Sequence, residues 1–198
     1  MLFDAPLAHV LPGVRRLIED GITPVACVLS HADVPAVGNA VKQLHEEFEL
    51  PMLLHPRDQM DQRIADLKID WQDPMGHEVL AEFPVEVLHW PGHSPGSVML
   101  YIPEFGGVLL AGDSLVRPGP MQPDGDQPLV RPPSDWADDA KVLQHWRDLS
   151  LDPLRTLAPL HGEPLIDIDN ASASITTMLD AGPMKSAVRR VAPPTVRA

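Results

Sequence analysis

The most informative part of this sequence is two consecutive segments, Leu88-His-Trp-Pro-Gly-His93-Ser-Pro-Gly-Ser-Val-Met-Leu-Tyr101 and Gly107-Gly-Val-Leu-Leu-Ala-Gly-Asp113. His93 lies in a tight Pro/Gly loop between two apolar runs, and Asp113 directly follows a further apolar run. Short apolar runs bounded by glycine and proline predict strands. We therefore expect an imidazole and a carboxylate at fixed positions on one edge of a sheet, which a metal site requires.

Two other segments place a histidine in the same context. His31 follows a short apolar run and precedes Ala32-Asp33, and His161 follows Leu157-Ala-Pro-Leu160 and precedes a glycine. On an extended segment the side chains at 31 and 33 would point to one face. Any one of these histidines alone is more often a core or surface residue, but together they predict a donor set of nitrogen and oxygen without thiolate. That set suits zinc, iron or manganese, and its members are His31, Asp33, His93, Asp113 and His161.

The apolar patterning predicts alternating strands and helices. Strands are predicted at Leu2–Asp4, Val25–Leu29, Met52–His55, Val79–Ala81, Val85–His89, Val98–Ile102, Val108–Ala111 and Thr156–Leu160. Helices are predicted at Leu7–Asp20, Pro35–Phe48, Asp58–Leu67, Ser134–Leu149 and Asn170–Leu179. The segment Asp70–Gly76 is predicted to be a loop that packs Trp71 on the sheet edge. The alternation of strands and helices around one antiparallel hairpin favours a layered α/β domain over an all-β sandwich or a helical bundle.

Length and composition narrow the class of protein further. The 198 residues predict a single domain over residues 1–190, with a Pro-rich loop at 117–133 and a flexible tail at 191–198. The net charge of -13 argues against nucleic acid or an anionic membrane as a partner. A single cysteine, Cys27, excludes an internal disulfide and suits a reducing compartment. With no signal peptide and no membrane-spanning stretch in the sequence, we expect a cytoplasmic protein.

These segments, in this order and spacing, resemble the metallo-β-lactamase superfamily, near its glyoxalase II-like hydrolases. Pro91-Gly-His93-Ser-Pro-Gly-Ser97 resembles the family's Pro-Gly-His-Thr-Pro-Gly-Ser turn, and Gly112-Asp113 resembles its Gly-Asp strand end. Leu160-His161-Gly162 is similar to its Gly-His-Gly, and Ser30 to Gly38 is similar to its His-x-His-x-Asp-His loop. The resemblance implies an αββα sandwich with a metal cleft along one edge of the packed sheets.

The first motif departs from the family pattern. Only His31 is kept, whereas Asp33 replaces the second histidine, Pro35 the aspartate and Ala36 the following histidine. The resemblance then implies one metal held by His31, Asp33, His93 and Asp113. A second metal would keep only two protein ligands, Asp113 and His161, because proline and alanine cannot coordinate. We therefore expect at most one divalent ion, zinc first, with iron or manganese as alternatives.

The start of the chain also departs from the family pattern. The family opens with several strands before the one that Leu2–Asp4 resembles, and these opening strands are missing from this sequence. One sheet would then expose an edge: either the sequence is a truncated version, or something else covers that edge, such as a second copy of the chain in a homo-oligomer.

Two main hypotheses for function follow, and whether the chain is an enzyme stays open, with hydrolysis favoured. The first is a metal-dependent hydrolase of an ester, thioester or lactone, with Asp113 and His161 as catalytic residues and a small-molecule substrate. The Pro-rich loop could close over that substrate, with Arg117 or Arg131 holding an acidic group. The second is a catalytically inactive binding or assembly protein, since a fold does not imply activity. An iron protein with redox or oxygen chemistry is a third, lesser possibility.

Overall fold

The structure is a computed structural model that describes residues 1–5, 10–34, 40–117, 130, 139–169 and 171–181. It contains two four-stranded sheets with helices, so the predicted α/β class is confirmed. Most of the Pro-rich loop, the tail at 191–198, and the motif positions Pro35 and Ala36 lie outside the described residues.

The first sheet is entirely parallel. Its strands, in sheet order, are β1 (Leu2–Phe3), β2 (Cys27–Val28), β3 (Met52–Leu53) and β4 (Trp71–Gln72). Strands β2 and β3 are fully buried, as continuous apolar runs predict for a sheet covered on both faces. The helices between these strands are α1 (Leu11–Glu19), α2 (Val41–Phe48), α3 (Pro56–Gln59) and α4 (Gln62–Ala65).

The second sheet is mixed. A short helix, α5 (Glu78–Ala81), leads into β5 (Glu86–His89), β6 (Val98–Ile102), β7 (Val108–Gly112) and β8 (Thr156–Pro159). Strands β5, β6 and β7 pair antiparallel, whereas β8 pairs parallel to β7. The predicted hairpin is therefore confirmed as β6 and β7. Helices α6 (Asp139–Asp148) and α7 (Ala171–Ala181) flank β8 along the chain.

Buried apolar side chains form three layers that give the order helix, sheet, sheet, helix. Leu11 of α1 and Val41 and Leu44 of α2 pack on one face of the first sheet, against Cys27 and Met52. The opposite face meets the second sheet through Val28, Leu53, Val98 and Leu100. The outer face of the second sheet packs against α6 and α7 through Met99, Leu109, Val142, Trp146 and Met178. Each fully buried Leu or Met stabilises the fold by roughly 1.5–3 kcal/mol.

Three local predictions were wrong, in each case because side-chain capping or tertiary pairing outweighed the local pattern. The predicted strand at Val79–Ala81 is helix α5, because the His77 side chain accepts the backbone N–H of Val79 at 3.3 Å and caps it. The predicted helix Asp58–Leu67 is two short helices, since Asp61 is extended and caps the second. The predicted loop Asp70–Gly76 contains β4, which pairs with β3 at the sheet edge.

Candidate metal centre

Three histidines point a ring nitrogen at one carboxylate oxygen of Asp113. The Oδ2 atom of Asp113 lies 3.6 Å from His31 Nε2, 3.8 Å from His93 Nε2 and 3.5 Å from His161 Nε2. The fifth predicted residue, Asp33, places its Oδ2 3.5 Å from His93 Nε2. Among the described residues, His31, His93 and Asp113 form a group in which one ligand atom from each lies within 4.8 Å of the others. Asp33 and His161 lie beside this group, Asp33 through its contact with His93 and His161 through its contact with Asp113.

The geometry of this group fits a metal ion. Donors about 2.1 Å from a tetrahedral ion lie about 3.4 Å apart, and within this group Asp113 Oδ2 lies 3.6 Å from His31 Nε2 and 3.8 Å from His93 Nε2. The second oxygen of Asp113, Oδ1, is buried without a hydrogen-bond partner among the described residues. Leaving such an atom unpaired is costly, so a cation beside this carboxylate would remove a real penalty. Imidazole and carboxylate donors are also those that first-row divalent ions accept.

His31 is fixed by the chain that follows β2. Its Nδ1 lies 2.8 Å from Ser30 Oγ, and the Ser30 N–H donates to Asp4 Oδ1 at 2.7 Å. With Nδ1 engaged by Ser30, Nε2 is the nitrogen left to bind a cation. Burial, together with the nearby His93 ring, lowers the pKa of His31 to about 3. The ring is therefore neutral at physiological pH, which is the form that binds metals.

The segment that carries His31 and Asp33 is a turn and not the extended segment on which both side chains would share one face. The Val34 N–H donates to the carbonyl of His31 at 3.3 Å, so the chain reverses directly after the strand. His31 is consequently buried, at 2% side-chain exposure, whereas Asp33 is 50% exposed. Both residues still lie beside the His93 ring, whose centroid is 4.5 Å from that of His31 and whose Nε2 is 3.5 Å from Asp33 Oδ2.

Asp33 is held by an ion pair that the sequence did not predict. Arg63 Nη2 lies 2.7 Å from Asp33 Oδ1 and 2.6 Å from Asp61 Oδ2. The hydrogen bond to His93 and the Arg63 guanidinium hold the pKa of Asp33 well below its usual range. Burial opposes a charge on His93, but the hydrogen bond to Asp33 and the charge of Asp113 outweigh it and raise the pKa of His93. Asp33 is thus a fixed carboxylate at the rim of the site.

Asp113 depends on the glycine before it. Gly112 has φ +52°, and a Cβ there would lie 2.5 Å from Ser30 Cβ, so β7 can pass close to the His31 segment only with glycine. The Asp113 side chain is 12% exposed. Burial raises the pKa of Asp113, while the His161 and His93 rings act in the opposite direction.

His161 lies on the solvent-exposed side of the site. Its side chain is 69% exposed, in contrast to the buried His31. Its carbonyl accepts the backbone N–H of Arg117 at 2.9 Å, so the segment after β7 fixes the main chain while the ring faces solvent. Trp90, Val142 and Trp146 line a small cavity that also touches His93 and Asp113.

Sequence reasoning missed three residues that surround the site. Arg63 and Asp58 lie in a stretch predicted only as a helix, and nothing in its pattern distinguishes them. Asp4 was placed on a predicted strand without a role, and burial raises its pKa to about 7. His89, in contrast, does not reach the site: its ring stacks on His55 at 4.1 Å, and its Nε2–H donates to the carbonyl of Pro95 at 3.1 Å.

The site gathers imidazoles and carboxylates at the edge of two packed sheets. This arrangement is typical of α/β proteins with a metal-binding site. The family model of the Metallo-beta-lactamase superfamily matches residues 28–154. The chain belongs to this superfamily, a metal-binding family that includes metallo-hydrolases. No helix within the described ranges is long and apolar enough to cross a membrane.

Individual relatives agree with this assignment. The probable metallo-hydrolase YqgX of Bacillus subtilis (strain 168) is 30% identical over 118 residues, which cover 51% of this chain and 54% of YqgX. The chain thus spans about half the length of that curated relative. The crystal structure of TTHA1623 in a di-iron-bound form is 29% identical, with a TM-score of 0.58, and covers 82% of this chain and 81% of its own. The crystal structure of BLEG-1 B3 metallo-beta-lactamase shares the fold, with a TM-score of 0.58. It is 23% identical, and the match covers 82% of this chain and 80% of that one.

Proposed function

We propose that this protein is a hydrolase of an ester, thioester or lactone that works with one divalent metal ion and belongs to the glyoxalase II-like branch. The observation that carries the proposal is the convergence of three ring nitrogens on Asp113 Oδ2 at 3.5, 3.6 and 3.8 Å. The residues that would hold the ion are His31, Asp33, His93 and Asp113. Zinc suits this set, and iron or manganese are the alternatives; the relative TTHA1623 is known in a di-iron-bound form.

The proposal of one ion depends on two positions of the first motif. Pro35 and Ala36 stand where the family has an aspartate and a histidine, and neither side chain has a donor atom. A second ion would therefore keep Asp113 and His161 as its protein ligands, and two ligands hold a divalent ion poorly against water.

Some residues of the site would bind the metal ion or the substrate, and another would transfer a proton. An ion held by His31, Asp33, His93 and Asp113 would supply Lewis acidity to an acyl oxygen and to water. His161, exposed and 3.5 Å from Asp113 Oδ2, can reach a bound substrate and donate a proton to its leaving group or bind its carbonyl. The cavity that Trp90, Val142 and Trp146 line beside His93 is too small for the acyl part of a substrate, so the substrate would approach from the side of the exposed His161 ring.

A catalytically inactive binding or assembly protein is the second candidate. The observation that favours it is the 2.7 Å ion pair between Arg63 and Oδ1 of Asp33, because the guanidinium already neutralises the charge that this carboxylate would offer a metal ion through Oδ2. Under either candidate, we propose a single domain over residues 1–190, a cytoplasmic location and no nucleic-acid partner.

Hydrolysis by the metal-loaded protein separates the two candidates. We expect turnover of at least one class among aryl esters, alkyl thioesters and lactones, with loss of both metal and turnover in His93→Ala. The variant His161→Gln should retain the metal but show a lower kcat, because its ring is the exposed one. The control His45→Gln, on α2, should behave as the unmodified protein. Metal binding without turnover of any class would favour the binding protein.

A further inference from the structure

Asp58 is the buried carboxylate that lies behind the metal centre. It sits in the short helix α3, after the capping residue His55, and its side chain is 2% exposed. A carboxylate is rarely buried this deeply unless hydrogen bonds compensate its lost hydration. Asp58 is not among the residues predicted to bind the metal, so its contacts need a separate explanation.

The contacts of Asp58 join the two loops that carry the ligands. Its Oδ2 accepts the backbone N–H of Ala32 at 2.8 Å and the hydroxyl of Ser94 at 2.6 Å. Its Oδ1 accepts the backbone N–H of Gly96 at 2.6 Å. Ala32 stands between the ligands at positions 31 and 33, and Ser94 and Gly96 directly follow the ligand at 93. One side chain therefore fixes both loops through three charge-assisted hydrogen bonds.

Gly96 shows how closely the loop approaches this carboxylate. A Cβ at Gly96 would lie 2.6 Å from Asp58 Oδ1 and 2.8 Å from the Asp58 nitrogen. Real side chains do not approach so closely, so a residue larger than glycine would push the loop away from Asp58. Ser94 is supported in turn by Ser97, whose Oγ accepts the Ser94 N–H at 2.9 Å. The Ser94-Pro-Gly-Ser97 turn is therefore shaped to receive a carboxylate as well as to present His93.

We propose that Asp58 is the positioning residue of the metal centre, which holds the loops of residues 31–33 and 93–97 at the separation that binding one ion requires. This inference rests on the metal centre proposed above. Asp58 is buried and does not touch the substrate side, so it acts only through the ligands. Outer groups that orient metal ligands commonly change metal affinity by about 10–100-fold when they are removed.

Titration with Co²⁺ alone tests this role, because the visible absorption of bound Co²⁺ reports both affinity and ligand geometry. We expect Asp58→Asn to raise the Co²⁺ dissociation constant by about 10–100-fold and to change the absorption spectrum, with unchanged far-ultraviolet circular dichroism. The variant Ser94→Ala removes one of the three hydrogen bonds without removing charge, and should raise the constant by a smaller factor. It keeps the proposal testable if Asp58→Asn does not fold.

A matched control removes a carboxylate elsewhere. Asp73 accepts the backbone N–H of Met75 at 2.9 Å in a different loop, so Asp73→Asn should leave both the affinity and the spectrum unchanged. A folded Asp58→Asn or Ser94→Ala protein that binds Co²⁺ as tightly as the unmodified protein, with the same spectrum, would overturn the role of Asp58 while leaving the metal centre intact. Failure of the unmodified protein to bind Co²⁺ would overturn both proposals.

Discussion

The substitution Gly112→Ala tests whether β7 and the His31 segment must touch to build the site. A Cβ at Gly112 would lie 2.5 Å from Ser30 Cβ and 2.6 Å from Ser30 Oγ, at a backbone φ of +52°. Ser30 cannot yield by rotating its hydroxyl, because its own Cβ is the nearest atom. Its backbone is also held, since its N–H donates to Asp4 and its carbonyl accepts the Val98 N–H at 2.8 Å.

The expected loss of stability is the sum of two effects. A residue with a Cβ in the left-handed region costs roughly 1–2 kcal/mol, and overpacking a rigid contact costs about 1–3 kcal/mol more. The free energy of unfolding should therefore fall by about 2–5 kcal/mol. For a chain of this size, each kcal/mol lowers Tm by about 2–4 °C. Because the clash separates His31 from Asp113, metal affinity should fall as well.

Gly76→Ala is the control for the backbone effect alone. Gly76 has φ +72°, but nothing lies within 4 Å of the position its Cβ would take. Gly112→Ala should therefore lose about 1–3 kcal/mol more than Gly76→Ala in thermal unfolding of the metal-free protein, and only Gly112→Ala should bind Zn²⁺ more weakly. Equal losses of stability in the two variants would refute the contact between β7 and Ser30 that the site requires.

Three further predictions concern other parts of the site and the core. Asp33→Ala, which removes a proposed ligand, should raise the Zn²⁺ dissociation constant by at least about tenfold in a chelator competition; an unchanged constant would exclude Asp33 as a ligand. Burial raises the pKa of Asp4 from 3.8 to about 7, so the native state binds an extra proton at Asp4 between these values, and this group alone makes the free energy of unfolding fall as pH rises through that range. His31, with its lowered pKa, and Asp113, with its raised one, also titrate and are common to both proteins, so urea unfolding of the metal-free proteins should show that the stability of the unmodified protein relative to Asp4→Asn falls with rising pH, and a difference independent of pH would contradict the raised pKa of Asp4. The fully buried Cys27, whose pKa burial raises to about 12, should react with a thiol reagent only after denaturation, whereas fast labelling of the native protein would contradict its burial.

Much of the fold could be predicted from sequence because its signals are local. The hairpin of β6 and β7 follows from two apolar runs around a glycine-rich turn, and β2 and β3 follow from continuous apolar runs. The prediction failed at Val79–Ala81, where the His77 cap outweighs the strand preference of a single valine. It also failed at Trp71, because pairing with β3 creates a strand that its own neighbours do not encode.

The sequence predicts the site residues whose side-chain type itself indicates metal binding. It does not predict the residues whose role depends on tertiary contacts. Histidines and aspartates at strand ends pointed to the convergence on Asp113. Asp58 could not be found in this way, because its partners Ser94 and Gly96 lie 36 and 38 residues away in the sequence. Arg63 is likewise 30 residues from Asp33. Packing of the two sheets brings Asp58 to its partners, and the parallel pairing of β2 with β3 brings the segments of Asp33 and Arg63 to the same sheet edge.

The most direct test of the account is a calorimetric titration of the metal-free protein with Zn²⁺. The donors at His31, Asp33, His93 and Asp113 predict one equivalent of bound zinc per chain, and the same titration of His31→Ala should show binding weakened by at least about tenfold. An endpoint of zero or of two equivalents, or a His31→Ala protein that binds as tightly as the unmodified one, would contradict a centre built for one ion.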